Sequence, residues 1–163
     1  MAVDIRIQAR AKVIQRKFAL LQKSNKDMRP VFAEIAPKMV LNTKLRFKQQ
    51  QGPTGKFWKR SNAARRENRK TLIKTGRLFN SIEATYDKKE IQVGSDVKYA
   101  RFAQLGGRAQ LKGKYRIRND GKRGKRKPPV SKRVVARKFL GVGKRDRKEI
   151  NKILTRRIKQ IVN

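Results

Sequence analysis

The chain of 163 residues contains no cysteine and no histidine. These absences remove disulfide bonds, thiolate zinc sites, cysteine nucleophiles and imidazole bases, the groups on which most catalytic and metal sites depend. Acidic residues are also scarce, since only 11 Asp and Glu stand against 47 Lys and Arg. We therefore expect a protein that is not an enzyme and that binds no metal or other cofactor.

The few carboxylates could still supply a general acid and base. The nearest candidates are Asp87 with Glu90, Asp96 beside Ser95, and Asp146 with Glu149. The local pattern gives each a structural explanation, because they lie respectively at a turn, at a strand end and at a helix start. The glycines match neither a P-loop nor a dinucleotide-binding fingerprint, so nucleotide chemistry is not predicted either.

Long apolar runs are missing as well. No stretch approaches the roughly 20 residues that span a bilayer. The start of the chain, MAVDIRIQARAK, lacks the apolar region of a signal peptide. The sequence predicts a soluble protein of cytosolic synthesis with no membrane partner.

Positive charge is what the sequence has in excess, with a formal net charge of +36. Solubility needs only about 2 to 8 net charges in a small domain. With a larger excess the positive side chains repel one another, unless counterions or an anionic partner screen them. From 108 to 130, ten basic residues stand against one acid, Asp120. This segment, the basic arm, predicts nucleic-acid contact through Arg108, Lys112, Lys114, Arg116, Arg118, Lys122, Arg123, Lys125, Arg126 and Lys127.

The kind of contact follows from the motifs that the arm does not contain. Zinc-finger, RNA-recognition and basic leucine-zipper signatures are absent, and Tyr115 is the sole aromatic residue of the arm. Stacking on bases is therefore limited, and we expect binding to backbone phosphates without sequence preference. An acidic protein surface is the alternative partner for the arm.

Apolar periodicity predicts the elements of the first half. Residues 3–7 alternate like a short edge strand, a helical repeat follows from about 10 to 22, and Asp27 is positioned to cap a second helix. The segment 52–60 breaks the helical period with two glycines and a proline. It predicts a structured loop that presents two apolar anchors, Phe57 and Trp58.

The second half predicts a hairpin, an arm and a helix. Two alternating runs, 81–86 and 90–95, form the hairpin, and a short helix then stops at Gly106. The whole chain, 1–163, reads as one α+β domain with N-terminal helices, a small antiparallel sheet, the basic arm or hairpin, and a C-terminal amphipathic helix started by Asp146. The expected core comprises Phe32, Ile35, Trp58, Leu78, Ile82, Val93, Tyr99, Phe102, Phe139 and Ile153.

Four segments, in their order and spacing, resemble the phage virion morphogenesis, or tail-completion, family of Mu-like and related phages. They are GPTGKFW at 52–58, LIKTGRLFNSI at 72–82, VGSDVKYARFAQLGG at 93–107 and ARKFLG at 136–141. The positions that carry over, each as a structural residue, are Trp58, Gly76, Leu78, Gly94, Tyr99, Gly106, Phe139, Leu140 and Gly141. Ala103 departs from a frequent histidine, Lys138 replaces a common proline, and the 108–130 insertion is unusually basic.

The resemblance implies a virion protein of the neck or tail that assembles in the host cytoplasm and completes the tail or joins it to the head. It also implies a homo-oligomeric ring, expected to be a hexamer, that contacts other neck and tail proteins. From the net positive charge we further expect the ring or its arm to bind the phosphates of packaged DNA. Composition leaves two alternatives, a ribosome- or chromatin-like nucleic-acid-binding protein and an adaptor for an acidic protein surface.

Overall fold

The computed structural model describes residues 12–24, 27–111, 115–117, 123–126 and 130–162. The predicted strand at 3–7 lies outside these ranges. The helices are α1 (Lys12–Ser24), α2 (Arg29–Gln49), α3 (Asn62–Arg66), α4 (Arg77–Asn80), α5 (Ala100–Leu105) and α6 (Lys144–Val162). The strands are β1 (Ile82–Tyr86), β2 (Ile91–Ser95), β3 (Gly107–Leu111), β4 (Tyr115–Ile117), β5 (Arg123–Arg126) and β6 (Val130–Val134). The α+β prediction is confirmed.

Helix α2 is the centre of the fold. It packs against the β1–β2 hairpin on one side and against α6 on another. Its buried positions recur at three- and four-residue spacing and form a stripe wide enough for both neighbours; they are Val31, Phe32, Ile35, Ala36, Met39, Asn42, Thr43, Arg46 and Phe47. Helix α1 covers α6 from the outside, where the Lys17 Nζ donates to Asn151 Oδ1 and Thr155 Oγ1, both at 2.7 Å.

The β1–β2 hairpin matches its prediction to within one residue at each strand. The strands are antiparallel, with Ile82 opposite Ser95 and Tyr86 opposite Ile91. Asp87 forms the turn, because its Oδ1 accepts the backbone N–H groups of Lys89 at 2.7 Å and Glu90 at 2.9 Å. These two hydrogen bonds lower the pKa of the Asp87 carboxyl below its ordinary value. The pair Asp87 and Glu90 is thus part of a turn.

Phe47 lies at the centre of the hydrophobic core and is fully buried. Three aromatic rings surround it, with centroids 5.1 Å away for Phe139, 5.4 Å for Trp58 and 6.1 Å for Phe79. The Trp58 and Phe79 rings meet it edge to face, the arrangement that aromatic quadrupoles favour. Phe47 therefore joins α2 to the 52–58 loop, α4 and the segment before α6.

Two of the predicted core residues are wrong. Tyr99 is 48% exposed and Phe102 is 40% exposed. Helix α5 instead turns Ala100, Ala103 and Gln104 inward. The reason is a close backbone approach on the inward side, since the Arg137 N–H donates to the Ala103 carbonyl at 2.7 Å. The other predicted core residues are buried, apart from Trp58, which is half-buried against the core.

Three predictions about local structure are also corrected. The N-cap of α2 is Met28, without a side-chain cap, and Asp27 accepts the N–H of Arg29 from one residue further out. Helix α6 begins at Lys144, so Asp146 lies in its first turn and reaches back to the Gly143 N–H at 2.6 Å. Asp146 thus takes the third position of a capping box and not the cap itself. Phe57 is 74% exposed and is therefore not a buried anchor.

No helix in the described part of the chain is both long enough and apolar enough to cross a bilayer.

Candidate nucleic-acid interface

The basic arm contains two antiparallel strand pairs. Strand β3 pairs with β6, and β4 pairs with β5, so the described backbone follows the order of a long hairpin. The base of this hairpin extends to Val134, four residues beyond the predicted end of the arm. Of the predicted contact residues, the strands hold Arg108, Arg116, Arg123, Lys125 and Arg126. The remaining ones lie outside the described residues, namely Lys112, Lys114, Arg118, Lys122 and Lys127.

Two arginines face each other at the base of the arm. The register places Arg108 directly opposite Arg133, and both side chains are exposed. Like charges at directly opposed positions of an antiparallel pair destabilise it. An anion bound between the two guanidinium groups would relieve that repulsion through charge-assisted hydrogen bonds. Arg133 was not among the predicted contacts, and only the strand register brings it to Arg108.

A glycine pair fixes the point where the arm leaves the fold. Gly106 ends α5 with φ +72°, and Gly107 begins β3 with φ +133°. A Cβ on Gly106 would lie 2.9 Å from both the Val134 carbonyl oxygen and the Ala136 backbone nitrogen. Only glycine combines this backbone conformation with so close an approach. The two legs of the arm are therefore held together at a defined position.

The segment 136–143, the anchor segment, continues from the arm to α6 without regular structure. Gln104 of α5 binds its backbone three times. The side-chain Oε1 of Gln104 accepts the N–H groups of Phe139 at 2.8 Å and Leu140 at 3.0 Å, and its Nε2 donates to the Leu140 carbonyl at 3.0 Å. Because Gln104 is buried, these bonds satisfy backbone groups that water does not reach.

The 52–58 loop holds the anchor segment from another side. The indole N–H of Trp58 donates to the Lys138 carbonyl at 3.1 Å. The Arg137 Nε donates to the Lys59 carbonyl at 3.0 Å, and burial lowers the pKa of this guanidinium below its ordinary value. Gly141, at φ +143°, lies where a Cβ would come within 2.8 Å of the Pro53 ring. Trp58 and Gly141 are therefore two positions at which the 52–58 loop contacts the anchor segment. We call this set of contacts the joint.

A buried ion pair completes the joint. Arg46 of α2 binds Asp146 of α6, and its Nη1 also donates to the carbonyls of Phe139 at 2.9 Å and Gly141 at 2.8 Å. The second carboxylate oxygen of Asp146 accepts from the Asn42 amide at 2.9 Å. Burial lowers the pKa of the Arg46 guanidinium, and the Asp146 charge opposes that shift. All partners of the buried charges are thus supplied by the protein.

The motif residues therefore divide by location. Trp58, Phe139, Leu140 and Gly141 form the joint, and Gly106 lies at the base of the arm. Gly76 precedes α4 at φ +75°, and Leu78 is fully buried. Gly94 lies on β2 opposite Glu83, and Tyr99 is exposed. Sequence reasoning missed Asn42 and Arg46, for which the only signal is an amide and a charge inside an apolar stripe.

The described residues contain no group of three acidic side chains that could hold a metal ion. The joint holds the base of a basic hairpin, and the exposed groups described there are the guanidinium groups of Arg108 and Arg133. Such groups bind phosphates or carboxylates.

Comparison with protein families gives a match to the phage virion morphogenesis family over residues 9–159. The match covers most of the chain, and the chain belongs to this family. Its role is therefore a structural or assembly role in the formation of a bacteriophage particle. Comparison with the curated proteins and with the solved structures gave no match.

Proposed function

We propose that this protein completes the tail or joins the tail to the head at the neck of the virion, as a homo-oligomeric ring whose basic arms contact packaged DNA. Family membership supports a role in particle assembly and favours it over a ribosome- or chromatin-like role. The charge supports a position near DNA, since a chain at +36 is stabilised by a dense anion.

The opposed pair Arg108 and Arg133 is the observation that carries the DNA contact. It begins a hairpin in which basic residues outnumber acids ten to one between 108 and 130. Phosphates on a DNA backbone are spaced regularly and carry one charge each, so a rigid hairpin can neutralise several of them without reading bases. The glycine pair and the joint keep the hairpin at a fixed position on the subunit.

Duplex binding over a salt series tests this contact. We expect two unrelated duplexes to bind equally, with a slope of log K against log salt steeper than roughly −4, which corresponds to about five neutralised phosphates. The double variant Arg108→Ala, Arg133→Ala should flatten the slope by roughly two. The matched control is Arg65→Ala, Arg66→Ala on α3, which removes the same charge from exposed positions elsewhere.

Equal effects of the two double variants would contradict the arm as the contact and indicate nonspecific charge attraction. Binding that does not respond to salt would contradict phosphate contact altogether. A monomer that co-purifies with RNA would favour the ribosome-like alternative.

Complementation tests the place in assembly. A phage with an amber mutation in this gene should accumulate filled heads and unjoined or incomplete tails, and the wild-type chain supplied in trans should restore infectious particles. Normal particles made without the chain would contradict the proposal.

A further inference from the structure

Helix α5 presents an exposed apolar stripe. Tyr99, Phe102 and Leu105 are 48%, 40% and 57% exposed and follow one another at three-residue spacing. Residues three apart are neighbours on a helix surface, so the three side chains form one continuous strip. The opposite face of α5 is the one that packs inward, through Ala100, Ala103 and Gln104. The stripe is therefore available to a partner.

The rim of this stripe is basic. Lys98 lies in the turn before α5, Arg101 lies on α5, and both side chains are exposed. No acid occurs between Val97 and Val134 except Asp120. An apolar strip with a basic rim fits a surface that combines carboxylates with an exposed apolar or aromatic group.

One such surface exists on the chain itself. The outer face of the β1–β2 hairpin carries Glu83, Asp87, Glu90 and Asp96, since side chains alternate along a strand and the inner face holds Ile82, Val93 and Ser95. Tyr86, the last residue of β1, has the strand parity of the inner face and is 44% exposed at the end of the hairpin. Of the 11 acids in the chain, four lie in this short segment, against the two lysines of the turn.

None of these four carboxylates forms an ion pair within the described part of the chain, although Asp87 is attracted by the nearby Lys89. The ion pairs in the described chain use Asp27, Glu34, Glu67 and Asp146 instead. An intermolecular contact would supply the missing cations.

We propose that the apolar stripe of α5, with Lys98 and Arg101, binds the outer face of the β1–β2 hairpin of a second copy of this chain. The inference rests on the proposed function and deepens it, because it names the two surfaces that join subunits. The occupant is a second copy because the carboxylates on the outer face of its hairpin complement the basic rim of the stripe.

The two surfaces lie apart on the subunit, which allows a head-to-tail contact. The hairpin turn lies near the start of α2, where the Met28 N–H donates to the Lys88 carbonyl, and five-residue strands separate it by roughly 17 Å from the α5 end. Each copy can therefore offer its hairpin to one neighbour and its α5 stripe to another. Two different surfaces on each subunit form a heterologous interface, and such an interface closes into a ring when the rotation between subunits allows it.

Sedimentation velocity of charge-reversed full-length chains tests the proposal. Glu83→Arg and Arg101→Glu should each raise the concentration for half-assembly by roughly tenfold, since each places like charges across the contact. Mixing the two variants should restore oligomers, because every hairpin then meets an α5 surface of opposite sign. The chain with both changes should also assemble. Controls of equal charge change are Glu149→Arg and Arg66→Glu, which should assemble as the wild type does.

Unchanged assembly of both single variants overturns the inference and leaves the proposed ring intact, with its interface elsewhere. Variants that lose assembly but do not recover on mixing, although their melting temperatures match the wild type, also overturn it. If the wild-type chain stays monomeric, a second copy is not the occupant of the stripe. The amber complementation tests independently whether the protein acts in tail assembly.

Discussion

Arg46 and Asp146 form a buried ion pair although 100 residues separate them in the sequence. Arg46 belongs to the central helix α2, and Asp146 to the first turn of α6. The same guanidinium binds two carbonyls of the anchor segment, and the same carboxylate binds the Gly143 N–H. One pair therefore fixes the relative position of two helices and of the segment that leads to the basic arm.

Removing one member of this pair should destabilise the fold strongly. We expect Arg46→Met or Asp146→Leu to lower the free energy of unfolding by about 3 to 5 kcal/mol, because each leaves a buried charge without its partner. The double variant should lose less than the sum of the two. Urea denaturation measures all three. Lys74→Ala, which breaks an exposed pair with Glu67, is the control and should lose less than about 1 kcal/mol; equal losses in control and variant would contradict the account.

Gln104 is expected to be nearly as sensitive. Gln104→Ala leaves two backbone N–H groups and one carbonyl of the anchor segment without partners. Each buried unsatisfied group costs about 1 to 3 kcal/mol, so the variant should lose at least about 2 kcal/mol in urea denaturation. The exposed Gln49 serves as control, and Gln49→Ala should leave stability within about 0.5 kcal/mol. A Gln104→Ala protein as stable as the control would show that these bonds do not hold the segment.

Substitutions at two glycines distinguish the cost of a steric clash from the cost of backbone strain. A Cβ on Gly143 would lie 2.4 Å from the Pro53 carbonyl oxygen, whereas a Cβ on Gly55, at φ +83°, would meet nothing within 4 Å. We expect Gly143→Ala to lose about 2 kcal/mol or more, since backbone must move. Gly55→Ala should lose only the left-handed conformational energy of about 1 kcal/mol. Thermal unfolding of both proteins checks the order, and the reverse order would contradict the packing of Pro53 on the anchor segment.

The Asp27 carboxyl gives a pH prediction. Side-chain and backbone hydrogen bonds from Arg29 lower its pKa from 3.8 to about 2. A lowered pKa in the folded state means that the interaction stabilises the fold above the unfolded pKa and is lost as the pH falls from about 4 to about 2. Arg29→Gln should raise the pKa of Asp27 towards 3.8, measured by the pH dependence of its carboxyl carbon resonance. An unchanged pKa of Asp27 in the variant would show that the Arg29 side chain does not cause the shift.

The β1–β2 hairpin and α6 could be predicted because their signals are local. Alternation in 81–86 and 90–95 and the apolar spacing from Ile150 to Leu154 each lie within one element. The orientation of α5 could not be predicted, because it depends on the backbone approach between Arg137 and Ala103. The Arg46 and Asp146 pair likewise depends on helix packing, and the opposition of Arg108 to Arg133 depends on strand register.

That orientation of α5 is itself testable through stability. Tyr99→Ser should change the free energy of unfolding by less than about 1 kcal/mol, because the side chain is half exposed. Phe139→Ala, at a fully buried position against Phe47, should lose about 3 to 5 kcal/mol. Urea denaturation of the two proteins measures the difference. A large loss of stability in Tyr99→Ser would show that Tyr99 belongs to the core after all.

Location in the particle is the most direct test of the claim that this chain is a neck or tail component. Cryo-electron microscopy of purified virions from the phage that encodes it should show a ring of subunits at the neck or tail, each with the central helix α2 between the hairpin and α6, and with the basic arm directed at DNA density. Complete, DNA-filled and tailed virions in which both the reconstruction and mass spectrometry find none of this chain would contradict the account.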